Sequence, residues 1–181
     1  FAIRSTFSKG VDAFDSTINR DYPDSRFFHW LGQIQWAKRL GDSRKEAIFR
    51  TDFQLASGPL LPMEKMAIGG HASVRGYRED ELTRDNGVVS SLELRFPLLD
   101  DGSAGGGVQG AVFADFGRSW NKNGNTPDPS YLSSAGLGLR WNSNERLNIE
   151  LYGAVAFRNI DRDEEDLQDY GIHFQLNYRV F

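Results

Sequence analysis

The chain has 181 residues, 39% of them hydrophobic and 25% charged, which suits one folded domain and excludes a disordered chain. A net charge of −4 leaves no basic footprint for nucleic acid, and the absence of Cys removes disulfides and Cys-ligated metals. No apolar run reaches the ~18 residues of a transmembrane helix, a limit that does not touch transmembrane barrels, whose alternating strands dilute the average hydropathy.

Period-2 alternation recurs along the chain, without convincing helical periodicity. Eight strands are predicted, over 1–9, 27–40, 44–57, 87–99, 108–120, 133–142, 147–159 and 170–181. The opening Phe1-Ala2-Ile3-Arg4 already reads as a strand, so a longer precursor is expected. In the second strand Phe28, Trp30, Ile34 and Trp36 oppose His29, Gln33 and Gln35. In the fourth, Val88, Leu92, Leu94, Phe96 and Leu98 oppose Ser91, Glu93 and Arg95. The seventh sets Leu147, Ile149, Leu151, Val155 and Phe157 against Asn148, Glu150, Tyr152, Ala154, Ala156 and Arg158. The last sets Ile172, Phe174, Leu176, Tyr178 and Val180 against His173, Gln175, Asn177 and Arg179. Phe181 falls on the opposite parity from that greasy face, which predicts a bulge or further residues beyond it.

A soluble sandwich buries such an apolar face, whereas a membrane barrel turns it to lipid and its polar face to a wet lumen. Alternation alone leaves both open. Strand length favours the barrel, because several segments match the ~9–11 residues that cross a bilayer at a tilt. Loop lengths favour it too. Short turns are predicted at Gly41-Asp42-Ser43, at 101–107 and at 143–146, and long connections at 10–26, 58–86, 121–132 and 160–169. Short turns on one side and long loops on the other is the outer-membrane pattern. Trp30, Trp36, Tyr152 and Tyr178 are candidates for interfacial girdles, with core packing as the alternative. The acidic stretch 161–169 reads as a solvated loop. His29, His71 and His173 are scattered without ligand spacing, so no metal site is expected. No nucleophile turn is recognisable, so no catalytic residue and no cofactor are expected.

The connection 58–86 is long enough to be either functional or disordered. It carries the apolar Leu60-Leu61-Pro62-Met63 and then Gly69-Gly70-His71-Ala72-Ser73-Val74-Arg75-Gly76-Tyr77, a composition suited to packing against something. Val74-Arg75-Gly76-Tyr77, after a Gly pair and before an acidic stretch, resembles the tip of the loop that folds into the lumen in the superfamily of outer-membrane insertases and two-partner-secretion transporters. The run from Gly87 to Leu98 is similar to that family's following strand. Phe113-Ala114-Asp115-Phe116-Gly117 resembles its Phe-x-Asp-x-Gly motif, and Gly136-Leu137-Gly138-Leu139-Arg140-Trp141 its next strand. The wording around the loop, including Arg84-Asp85-Asn86-Gly87, is more similar to haemolysin and adhesin secretion transporters than to insertases.

The resemblance implies an all-β antiparallel transmembrane barrel in the outer membrane of a Gram-negative cell. The eight strands match the second half of a sixteen-strand barrel, so residues 1–181 form its C-terminal half, without the first half or the periplasmic transport-associated domains. The implied partners are the lipid bilayer, a secreted exoprotein and another barrel half from the same precursor or a second copy. An insertase, or a barrel anchoring an upstream enzyme, is the alternative. It further implies that Arg75 reaches Asp115, which parity places on the polar face beside Phe113 and Gly117. Arg suits a carboxylate because its planar fork binds both oxygens. Glu93 and Arg95 share that face and extend the cluster. In a hydrated lumen this pair is expected to act as a conformational latch rather than a major stabiliser.

Overall fold

The computed structural model describes residues 1–13, 16, 18–19, 23–41, 44–99, 107–143, 146–160 and 167–180. Its strands are β1 (Ala2–Lys9), β2 (Phe28–Arg39), β3 (Glu46–Ala56), β4 (Met66–Ile68), β5 (Leu82–Arg84), β6 (Asn86–Leu99), β7 (Gly107–Trp120), β8 (Tyr131–Ser143), β9 (Leu147–Ala156) and β10 (Ile172–Tyr178). Eight of them form one antiparallel sheet in the order β1-β2-β3-β6-β7-β8-β9-β10. The predicted all-β architecture and its eight strands are thus present. Their ends move by a few residues. The last strand starts later than predicted because Leu167–Tyr170 closes into a 3-10 turn. The short turns fall largely on residues 42–43, 101–106 and 144–145, outside the described residues, as do 161–166 of the acidic stretch and Phe181.

The connection 58–86 departs from a plain loop. Strands β4 and β5 pair within it as a small antiparallel hairpin, preceded by a 3-10 turn at Pro62–Glu64. Apolar Met66, Ile68 and Leu82 explain why this segment orders. Ile68, Val74, Tyr77 and Leu82 pack with Val89 of β6 and Leu132 of β8 in one buried cluster. The hairpin therefore lies against the sheet through a dry apolar contact.

Which face it covers follows from parity. Along β7, Ala111, Phe113, Asp115, Gly117 and Ser119 are buried, while the alternate Ala114, Phe116 and Arg118 are exposed. The register carries this face across the sheet, with Ser91 opposite Asp115 and Asp115 opposite Ser134. The opposite face is apolar and bare, with Leu137 at 66%, Val155 at 67% and Phe174 at 65% exposure. An apolar outer face with polar groups and a loop on the inner one is the inverted layout of a membrane barrel. The sheet also curls around the loop. Tyr152 of β9 donates a hydrogen bond to Glu93 of β6 at 3.3 Å, although three strand spacings of a flat sheet span ~14 Å.

Candidate functional site

The concave face gathers its charges around Arg75. Its Nε donates to Asp115 Oδ2 at 2.8 Å and its Nη2 to Asp115 Oδ1 at 2.9 Å, a two-pronged pair. Nη1 donates to Glu93 Oε2 at 2.6 Å, and Nη2 also reaches Ser91 Oγ at 3.2 Å. The Arg75 backbone N–H adds a bond to Asp115 Oδ2 at 3.1 Å. Ser91 Oγ donates to Asp115 Oδ1 at 2.7 Å, and Arg95 Nε to Glu93 Oε1 at 2.5 Å. Two carboxylates thus face two guanidiniums with most lone pairs occupied. Burial by itself disfavours the Arg75 charge, but the bonds and charges of Asp115 and Glu93 outweigh it and hold its pKa above the ordinary value.

Aromatic walls complete the seat. The guanidinium carbon lies 3.5 Å from the ring centre of Phe113 and 4.8 Å from that of Tyr152, in range of cation–π attraction. These rings fit because the facing strand has holes. A Cβ on Gly136 would come within 2.6 Å of the Phe113 ring, and one on Gly138 within 2.3 Å of Tyr152. Gly117 leaves the space filled by Ile68 and Val74, whose methyls would lie 2.5 and 2.9 Å from a Cβ there.

Of the residues singled out in the sequence, Arg75, Asp115, Glu93, Arg95 and Phe113 meet directly, and Val74 and Gly117 pack beside them. Tyr77 turns to the neighbouring wall, where its hydroxyl donates to the Ser133 carbonyl at 2.9 Å and accepts from the Arg158 N–H at 3.1 Å. Gly76 lies against β9 and donates its N–H to His173 Nε2 at 2.8 Å. Three readings need correction. Tyr152 is 1% exposed and lines the seat, so it belongs to no interfacial girdle. His71 and His173 are not scattered, since their rings sit 6.0 Å apart beside the loop tip. Asp169 does not stand in solvent, because Arg78 Nε donates to it at 2.9 Å. The seat is also drier than a hydrated lumen implies, with the Arg75, Glu93 and Asp115 side chains 4%, 2% and 0% exposed. Ring packing and the hairpin displace the water that parity alone assigned to this face.

The base of the loop has its own attachments, for which the motif wording carried the sole signal. Arg84 Nη1 donates to the Ser119 carbonyl at 3.0 Å, and Nη2 to those of Pro127 and Pro129 at 2.7 and 2.8 Å. Asp85 accepts from the N–H groups of Leu60 and Lys122 at 2.9 and 2.8 Å. The hairpin is thereby tied at its root to the β7–β8 connection and at its tip to the wall. Removing the Tyr77 hydroxyl tests the second attachment. Tyr77→Phe is expected to weaken tip docking by ~1–3 kcal/mol, the cost of leaving the Arg158 N–H without its acceptor. Faster amide hydrogen exchange over residues 74–78, with the strands unchanged, is the measurement.

Comparison with known proteins agrees with this geometry. Residues 13–180 match the model of the Omp85 superfamily domain. Over 75 residues the chain is 37% identical to the chloroplastic outer envelope protein 80 of Arabidopsis thaliana, covering 40% of this chain and 9% of that protein. CdiB from Acinetobacter baumannii superposes with a TM-score of 0.66 at 25% identity, over 85% of this chain and 27% of that one. The chain therefore spans less than a third of the length of either relative. With its bare apolar face, its curled sheet and its inward loop, this is an outer-membrane β-barrel sequence, and the chain belongs to the Omp85 superfamily.

Proposed function

We propose that this chain is the C-terminal half of an outer-membrane channel that exports a large adhesin or cytolysin by two-partner secretion. The observation that carries the reading is the seat of Arg75, which holds a long loop across the inner face of the sheet. An eight-strand barrel is just filled by its own side chains, whereas a wider one of ~16 strands leaves an aqueous passage. A hairpin with its own apolar core needs the wider pore. Each of β1 and β10 pairs with one neighbour among the described residues, leaving an edge for further strands. Around Arg4, Gln33, Gln35, Arg50 and Asp52 the inner face borders a cavity of about 340 Å³ that no loop residue lines. The wording around the loop, more similar to secretion transporters than to insertases, and the likeness to CdiB support the secretion branch. The remaining strands are assigned to the same precursor or to a second copy.

The test pairs the full-length protein with a candidate exoprotein sought among the genes beside its own. Exoprotein is expected on the cell surface or in the medium when both are produced, and in the periplasm when the channel is absent. Unchanged exoprotein release after depletion, with other outer-membrane barrels failing to assemble, would instead establish the insertase.

A further inference from the structure

Besides Arg75 and Tyr77, the loop tip has a further polar anchor, on the last strand. Gly76 is buried, and its backbone N–H points at His173 Nε2 of β10 at 2.8 Å. A backbone N–H is only a donor, so Nε2 must be the acceptor and the ring must be neutral, with its proton on Nδ1. The contact is close on every side. Gly76 Cα lies 3.6 Å from where a Cβ on Gly171 would stand, and a Cβ on Gly76 would be 3.0 Å from Ala154 Cβ. Nearby, Arg78 pairs with Asp169, and the Glu79 N–H donates to Gln168 Oε1 at 3.1 Å. The segment just before β10 and β10 itself therefore hold the tip at several points.

We propose that His173 is a proton-sensitive clamp that joins the loop tip to β10, closed while its ring is neutral and opened by acid. An imidazolium has no lone pair to offer Gly76, and its N–H would meet the Gly76 N–H head on. The charged and titratable groups around it come from several elements. His71, Arg75, Glu79 and Arg78 belong to the loop, Asp115 to β7, Tyr152 to β9, where it lies opposite His173 in the ladder, and Asp169 to the turn before β10. Arg75 and a protonated His71 oppose a new positive charge there, while Glu79 and Asp115 favour it. Asp115 is already engaged by Arg75, and Glu79 by the His71 backbone N–H at 2.8 Å. The lost acceptor therefore decides the outcome.

The sign follows from linkage. The seated form excludes the proton and the lifted form accepts it, so seating is favoured above the histidine range and weakens as pH falls through it. For a free histidine of pKa ~6.5, the seated-to-lifted ratio drops by up to roughly 25-fold between about pH 7 and about pH 5. The clamp presupposes the inward seating of the loop but not the export of an exoprotein.

Amide hydrogen exchange of the full-length protein in lipid tests it without any secretion assay. His173→Gln keeps an acceptor that does not titrate, and the chemical pH dependence of exchange cancels in the ratio of wild type to variant. For a peptide covering Val74–Arg78 that ratio is expected to rise by up to roughly 25-fold from about pH 7 to about pH 5. His173→Ala should exchange fast at both values. Heat-modifiable migration on gels verifies that each variant folds. A ratio that stays constant overturns the clamp. So does an acid response that persists in His173→Gln and disappears in His71→Gln, which would assign the titration to the neighbouring ring.

Discussion

In the proposed export channel, Arg75→Ala is expected to abolish release of the exoprotein while the strands still fold and insert. The substitution leaves Asp115 and Glu93 buried, with the residue-75 backbone N–H and the Ser91, Tyr152 and Arg95 donors in place of the guanidinium fork. Breaking a buried, hydrogen-bonded pair from one side costs ~3–5 kcal/mol, against ~0–1 kcal/mol for an exposed pair. Side-chain exposures of 4%, 2% and 0% put this site in the first class. The seated loop then loses about two to four powers of ten in population relative to the lifted one. The eight-strand ladder and the lipid-facing surface do not involve Arg75, so assembly is expected to continue. Arg75→Lys should fall between the two, because an ammonium is a point charge and does not reproduce the fork across Asp115 and Glu93. Exoprotein in the medium reads export, and heat-modifiable migration reads the barrel. Failure of the barrel to assemble in Arg75→Ala would refute the latch and make the cluster a folding determinant.

Gly76→Val should lift the tip nearly as effectively, by a route that leaves every charge in place. Gly76 has φ of +91°, a conformation that a β-branched residue adopts only under strain. The strain is on the order of 1–3 kcal/mol, and crowding against a packed neighbour adds ~1–3 kcal/mol. Here the neighbour is Ala154 of β9, with Cβ 3.0 Å from the position a side chain would take. Because the same residue supplies the N–H to His173, a shift that relieves the crowding also lengthens that bond. Exchange at residues 74–78 should become fast at neutral pH, with β6 and β7 protected as before. Protection equal to wild type would show that the backbone conformation at this position does not govern seating.

Both predictions rest on residues that alternation alone does not single out. Parity assigns Asp115, Glu93 and Arg95 to the polar face, where Asp115 and Glu93 are buried and Arg95 bonds Glu93. It did not distinguish a solvated carboxylate from one held by a guanidinium. The resemblance of Val74-Arg75-Gly76-Tyr77 and Phe113-Ala114-Asp115-Phe116-Gly117 to a known loop and strand supplied that pairing. Tyr152 shows the limit most clearly. On the polar side of β9 by alternation, it also read as a girdle aromatic, because a tyrosine suits either place. The hole at Gly138 and the guanidinium beside it decide the matter. Alternation places Ser91 on this face without a role, since a serine in a strand carries no local signal of what it bonds.

Strand number, the facing of each strand, the lipid-compatible outer surface and the presence of one long inward loop follow from the sequence by itself. Strand number and facing are local or periodic properties, set by side-chain alternation and turn composition within a few residues. The lipid-facing choice draws on strand and loop lengths, and the inward course of the loop on the motif resemblance. The dryness of the Arg75 seat, the hairpin inside the loop, the three-carbonyl grip of Arg84 and the contact between Gly76 and His173 were decided only by the tertiary structure. They depend on how far the sheet curls, which brings side chains of β6, β7, β9 and β10 to one point. Alternation specifies which way a side chain faces. Curvature, a sum over many strand pairs, specifies what it meets.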